Sequence, residues 1–266
     1  MSDSNFYQSH WREIEQERLA RYEDMFVYRP HHEGMIQPLG LEEGQVVVDF
    51  GCGPGFVTME FARRVGPRGK AFGVDPNAQF VQRATARAME ASISNIEFIH
   101  VQGDRVPLDE NSADRLFCKN VLEYVPDASQ TLAEHYRLLK SGGKVLIVDS
   151  DWGFVAVEPW GRARTDEFFG AASGAFREPY IGRKLYGLLA DAGFEDITIQ
   201  VITAADTVGA IMPVVANMVS YIRHLDTMPA SRVDAMTAEL ESAIQRKRYL
   251  FLLPQFLATA TKPAAA

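Results

Sequence analysis

From about residue 46 onward, short β-branched runs alternate with amphipathic stretches, a pattern that predicts βαβ units around a parallel sheet. Runs at 45–50, 70–75, 96–101, 114–118 and 143–149 read as strands. Apolar residues recurring at three and four mark helices between them at 57–65, 78–91 and 129–139. Each crossover has room for one helix. The rhythm then changes: 181–192 reads as a helix stopped by Gly193, 197–202 as a strand, and 249–260 as a last strand broken or bulged at Pro254. Two stretches have no role in a sheet, an irregular one at 151–180 and a helical insertion at 204–246. Ligands of open α/β sheets sit beyond the carboxyl ends of the strands, so segments leaving those ends supply a lid and substrate walls.

With 266 residues, 47% of them apolar and 23% charged, the chain can bury a full core. A formal net charge of −8 repels nucleic acid and anionic membrane surfaces, so neither is an expected partner. Cys52 and Cys118 have no metal-binding or disulfide spacing, which fits a reducing cytosol and excludes a structural zinc. No basic, then apolar, leader opens the sequence, so no secretory signal is expected. The apolar stretch 207–222 contains Asn217 and is closed by Arg223 and His224, the pattern of a helix packed on the protein itself.

The sharpest local signal is Asp49-Phe50-Gly51-Cys52-Gly53-Pro54-Gly55, between an apolar strand and a helical pattern. Such glycines allow a tight turn and close approach of backbone to a ligand. A glycine-rich loop alone fits a phosphate site, a dinucleotide site or a plain βα turn. Here Asp49 closes the strand and the loop has no Lys or Arg, so a cationic ligand suits it better than a diphosphate. Asp75, about twenty residues on and followed by Pro76, ends the second strand and is placed to accept from both hydroxyls of a ribose. The third strand ends in Gly103-Asp104-Arg105, where Asp104 can accept from an adenine amine with Arg105 beside it. Acids ending three successive strands describe a site for a positively charged adenosine compound.

On these residues the chain resembles the class I S-adenosylmethionine-dependent methyltransferases, in particular their small-molecule branch. The resemblance extends to the segment from Phe117 to Asp127 and to Leu138-Leu139-Lys140-Ser141-Gly142-Gly143-Lys144-Val145. It implies an α/β fold: a doubly wound, seven-stranded, mostly parallel sheet with a reversed last strand, plus an N-terminal helical arm and a helical cap insertion. The expected organisation is an arm or lid at 1–40, a cofactor-binding Rossmann-like domain at 41–203 and 247–263, and a cap at 204–246. S-adenosyl-L-methionine is the implied cofactor. Gly51, Cys52 and Gly53 would pass its methionine moiety, Asp75 and Pro76 its ribose, and Asp104 with Arg105 its adenine. Lys119 and Asn120 would line it by backbone contacts, and Tyr28 from the arm would cover it.

The sulfonium methyl is already activated, so positioning does most of the work, and a base is needed only where the acceptor arrives protonated. His31, Glu123, Tyr124 and Asp151 are the catalytic candidates; Tyr7, Tyr28, His32, Trp152 and His224 also lie beyond the strand ends. His31 and His32 are adjacent and cannot share a helix face as ligands, and Asp149 and Asp151 need not converge, so no metal is expected. A lone Glu123 argues against arginine methylation, and the segment lacks the Asn-Pro-Pro-Tyr type motif of amino-methylating DNA enzymes. Aromatics in the arm, with Trp152, Trp160, Phe168, Met218 and Tyr221, suggest an enclosed apolar pocket. The expected activity is O- or C-methylation of a small apolar or aromatic molecule of secondary metabolism, by an enzyme for which a homodimer is allowed. The alternative is a non-methylating reaction, such as a cyclisation, on the same cofactor-binding fold.

Overall fold

The computed structural model of the chain describes residues 5–12, 14, 16–103 and 105–264; the side chains of 16, 17 and 31 lie outside that description. The arm comprises α1 (Phe6–Arg12), α2 (Gln16–Phe26) and a single turn, α3 (Glu33–Ile36). The alternating part follows as β1 (Val46–Phe50), α4 (Phe56–Val65), β2 (Lys70–Asp75), α5 (Ala78–Glu90), β3 (Ile96–His100), β4 (Ala113–Lys119), α6 (Ala128–Leu138) and β5 (Leu139–Ser150). The C-terminal part contains β6 (Ala156–Glu158), α7 (Gly161–Ala172), α8 (Leu185–Asp191) and β7 (Glu195–Ile202). It closes with α9 (Met212–Leu225), α10 (Ala230–Gln245), β8 (Leu250–Leu252) and β9 (Gln255–Thr261).

Seven strands form one sheet in the order β3-β2-β1-β4-β5-β9-β7. All neighbours are parallel except β9, the last strand, which runs antiparallel to both β5 and β7. The expected mostly parallel sheet with a reversed last strand is therefore present. β1 is apolar through its middle because helices cover both faces of a parallel sheet, and Val48 sits between Phe72 and Leu116. Strand order reverses between β1 and β4, which opens a crevice at their carboxyl ends. Helix starts aim the neighbouring loops there. Asn77 caps α5 by accepting from the Phe80 amide at 3.0 Å, and Asp127 caps α6 by accepting from Ser129 and Gln130. Gly55, at φ +80°, leads into α4, where a Cβ would lie 2.6 Å from the Phe98 ring.

The C-terminal part differs from its sequence pattern in two ways. Residues 151–180 are not irregular: they hold β6 and α7, and β6 pairs with β8 in a separate two-stranded sheet, Val157 opposite Phe251. The final apolar run is two strands in two sheets, with Pro254 between them. Strands of three residues whose partners are remote in sequence leave no local period to read. Trp152, Trp160, Phe168, Tyr221, Met236 and Phe251 share one buried cluster, so 151–180 packs with the helical insertion as one cap. Phe6 of the arm joins the same cluster.

The arm lies across the strand ends. Leu19 and Tyr22 of α2 pack on Phe80 of α5, and Glu23 pairs with Arg83 and Arg87 at 2.6 and 3.0 Å. The hydroxyls of Tyr22 and Tyr221 meet at 3.0 Å, joining arm to cap. No described helix is long and apolar enough to cross a membrane; in α9 the side chain of Asn217 accepts from Arg21 at 3.2 Å.

Removing the fully buried ring of Phe251 empties the centre of the cap core. Phe251→Ala is expected to lower stability by about 3–5 kcal/mol in urea unfolding; a loss under about 1 kcal/mol would contradict a cap that folds cooperatively with the sheet.

Candidate active site at the carboxyl edge of the sheet

A cavity of about 310 Å³ lies beyond the ends of β1, β2, β4 and β5, with the arm over it and α9 of the cap behind it. The glycine loop forms one wall. Gly51, Gly53 and Gly55 all have positive φ, and the amides of Gly51 and Cys52 donate to the Val74 carbonyl at 2.8 and 3.0 Å. A Cβ on Gly51 would lie 2.2 Å from Val121, so the loop is nipped against the segment after β4. A Cβ on Gly53 would meet nothing within 4 Å, so the backbone there lies open to a ligand.

Asp75 closes β2 and is 7% exposed. Its carboxylate accepts from the amides of Gly53 and Asn77, each at 2.8 Å, and burial pushes its pKa up to about 6. Asp49 accepts from the Thr58 hydroxyl at 2.6 Å, and burial raises it to about 7. Asp149, at the end of β5, is raised to about 7 by burial and accepts from the Leu122 and Ser150 amides at 3.0 and 2.9 Å. Burial pushes the Cys52 thiol well up, which leaves it a poor nucleophile. Pro76 lines the cavity, its carbonyl held by His100.

The segment after β4 supplies the opposite wall. Asn120 has φ +53° and spends its amide on the Val148 carbonyl at 2.8 Å; the buried polar atom without a partner there is its side-chain Oδ1. The Asn120 amide is therefore spent within the protein. Glu123 is 1% exposed, accepts from the Trp152 indole at 2.7 Å through Oε2, and leaves Oε1 without a hydrogen bond. Burial, then the charge of Asp149, push its pKa well above the carboxylate range, and Tyr124 interacts with the same carboxyl. The Tyr124 phenol is itself raised by burial and by Glu123. Its ring stacks on Phe176 at 5.2 Å and meets Trp11 edge-on at 5.0 Å.

Gly51, Cys52, Gly53, Asp75, Pro76, Lys119, Asn120, Glu123 and Tyr124 all line the one cavity. Three expected residues lie elsewhere. Asp151 is fully buried but spends both oxygens on the Arg183 guanidinium, at 2.6 and 2.7 Å, and on the Gly153 amide. Tyr28 donates to Glu33 and accepts from Arg64, which holds its hydroxyl between α3 and α4, outside the cavity lining. Arg105 is exposed beyond the cavity lining. Asp104 and the side chain of His31 lie outside the described residues. His224 stacks on Phe6 at 4.1 Å, away from the strand ends. The sequence pattern missed the polar lining from α9 and α6, Asn217, Gln130 and Thr131, because only the packing of those helices turns them inward. Among the described residues, no group of three or more His, Cys, Asp or Glu gathers where a metal could be held.

A family profile described as a methyltransferase domain matches residues 41–193. A demethylmenaquinone methyltransferase of Geobacillus sp. (strain WCH70) is 28% identical over 133 residues, 49% of this chain and 57% of the relative. The chain spans about half the length of the curated relatives it matches. The solved YcgJ protein of Bacillus subtilis is similar at a TM-score of 0.62 and 20% identity, over 89% of this chain and 100% of that one. The (4+2)-cyclase SpnF is similar at 0.60 and 18%, over 88% and 80%. At those identities the two structures share its fold. The profile match runs from β1 through α8, over the glycine loop, Asp75 and the Glu123 segment, and on that match the chain belongs to the methyltransferase-domain family.

Proposed function

We propose that the protein is an S-adenosylmethionine-dependent methyltransferase acting on a small, largely apolar or aromatic acceptor at oxygen or carbon. The observation that carries this reading is the pair of buried carboxyls, Asp49 and Asp75, beside a glycine loop that contains no cation. Such a rim favours a sulfonium nucleoside and opposes a diphosphate.

The residues present fit that cofactor. Each Asp75 oxygen keeps a lone pair beyond the amide it already accepts from, enough for two ribose hydroxyls. The open backbone at Gly53 and the unpartnered Asn120 Oδ1 would hold the methionine part, and Gln102 with Gly103 would hold the adenine. The cofactor supplies a sulfonium methyl group: the acceptor's lone pair forms the new bond as the carbon–sulfur bond breaks, and the bonding pair stays on sulfur. The acceptor would occupy the part of the cavity walled by Trp11, Tyr22, Tyr124, Trp152 and Tyr221, whose rings suit an apolar body. A relative that is a demethylmenaquinone methyltransferase agrees with such an acceptor. Glu123 is the base in this reading, because its free oxygen is buried at the cavity wall. The shared fold of a (4+2)-cyclase favours one rival, cofactor retained without methyl transfer.

Calorimetry with S-adenosylhomocysteine tests the cofactor. Binding is expected to strengthen as pH rises through about 6, where Asp75 ionises, and Asp75→Ala is expected to weaken it at least tenfold at pH 7.5, the loss of charge-assisted hydrogen bonds. Tighter binding of a dinucleotide would overturn the reading. Turnover of a demethylated quinol should release one S-adenosylhomocysteine per product; product with none released would favour the cyclase alternative. Burial raises the Glu123 pKa, so the ionised form that acts as base grows with pH and the rate should climb with it; Glu123→Gln should cost about a hundredfold in kcat/KM and flatten that rise.

A further inference from the structure

Lys119 stands out against an acidic lining. Its amine ends β4 at the cavity wall, half-buried, whereas Arg12, the other strongly basic lining residue among those described, is exposed at the rim. Three carboxyls act on the Lys119 ammonium: Asp149 from β5, Glu123 from the segment after β4, and Asp49 from β1. Each has turned to another donor, Asp149 to two backbone amides, Glu123 to the Trp152 indole and Asp49 to Thr58. From the arm, the group packed near Nζ is the uncharged Phe26 ring, 5.9 Å away. Among the described residues, Lys119 therefore makes no hydrogen bond or ion pair.

An ammonium has three N–H donors, and those of Lys119 are unspent on the protein at the wall of the cavity. A lysine placed only to neutralise Asp149 would pair with it. The unspent donors instead point to a ligand that arrives with negative charge. Burial raises Asp49 and Asp149 to about 7 and raises Glu123 as well, so the three carboxyls are only partly charged, and one ammonium beside them can hold a monoanion but not balance a phosphate dianion. The neighbouring rings of Phe26, Trp11 and Tyr124 favour a flat apolar body carrying that charge.

Building on the methyltransferase reading, we propose that Lys119 anchors the ionised oxygen of the acceptor, so that the site takes acidic hydroxyl compounds, phenols and enols, as their oxyanions. The hydroxyl proton passes to the free oxygen of Glu123, and the electron pair of the O–H bond stays on the acceptor oxygen beside the ammonium. Burial lowers the lysine's pKa from its ordinary value, and a bound oxyanion would counter that shift.

The test uses the full chain saturated with S-adenosylhomocysteine and para-nitrophenol as probe, its ionisation followed by absorbance, with para-nitroanisole as the uncharged control. The wild-type protein is expected to bind the phenolate about tenfold tighter than the ether and to lower the bound phenol's pKa by about one unit. Lys119→Met should abolish both effects, and Lys119→Arg should keep most of the preference, each measured at saturating S-adenosylhomocysteine. The proposal is overturned if the wild type shows no preference for the anion, or if Lys119→Met retains it. It is also overturned if Lys119→Met loses S-adenosylhomocysteine while keeping the preference, for then the amine serves the cofactor's carboxylate. Failure of the wild type to bind S-adenosylhomocysteine would remove the cofactor reading, while the phenolate shift in the ligand-free protein would still decide the role of the lysine.

Discussion

Carboxyl groups taken out of water at the ends of β1, β2 and β5 are the constraint on which the site depends. A buried carboxyl persists only where donors reach it, and here the donors are the loops that must be held still. Asp75 holds Gly53 and Asn77, which fixes the glycine loop against the start of α5. Asp149 holds Leu122, which fixes the segment carrying Glu123. Asp49 holds Thr58 in the first turn of α4. Asp49 and Asp75 line the cavity that they shape, Asp149 shapes it from behind, and the raised pKa values of all three record the cost of keeping them there.

The aromatic half of the cavity obeys a different rule. Trp11, Tyr22, Tyr124, Trp152 and Tyr221 come from the arm, the segment after β4 and the cap; Trp11 pairs with Tyr22 and Tyr124, while Tyr124, Trp152 and Tyr221 each meet Phe176. Tyr124 touches Trp11 and Phe176 at once, so the residue after Glu123 spans arm and cap. Trp152 does the same for the carboxyl, since its indole sits in the cap core while its N–H holds Glu123. Polar positioning and apolar enclosure therefore meet in two consecutive residues.

Local pattern reveals some parts of this arrangement and hides others. The run Val46-Val47-Val48-Asp49-Phe50 with its glycine loop is readable because a buried parallel strand and a tight turn each impose residue types over a few positions. The same holds for the end of β2 at Asp75. Glu123 and Asp151 look alike as sequence, two acids just beyond strand ends, and only Arg183, brought up before α8, separates the clamped one from the one with a free oxygen. The small sheet of β6 and β8 is invisible for the same reason, being made wholly by remote pairing. Lys119 reads from sequence as a backbone contact; the meaning of its side chain lies in what three distant carboxyls do instead of pairing with it.

Pro254 marks where the chain passes from one sheet to the other, and that handover has a mechanical consequence. The cap leaves the large sheet at Ser150, under the Asp151–Arg183 clamp, and rejoins it through β8 directly into β9, a strand wedged between β5 and β7. Swinging the cap outward would pull on ladder bonds inside the sheet. The arm is held by side-chain contacts: ion pairs such as Glu23 with Arg83 and Glu33 with Arg64, each worth about 1 kcal/mol or less at a surface, the buried packing of Leu19 and Tyr22 on Phe80, and the Tyr22–Tyr221 hydrogen bond to the cap. The two covers thus differ in how they are held, the cap threaded through ladder bonds of the sheet and the arm seated on it by side chains.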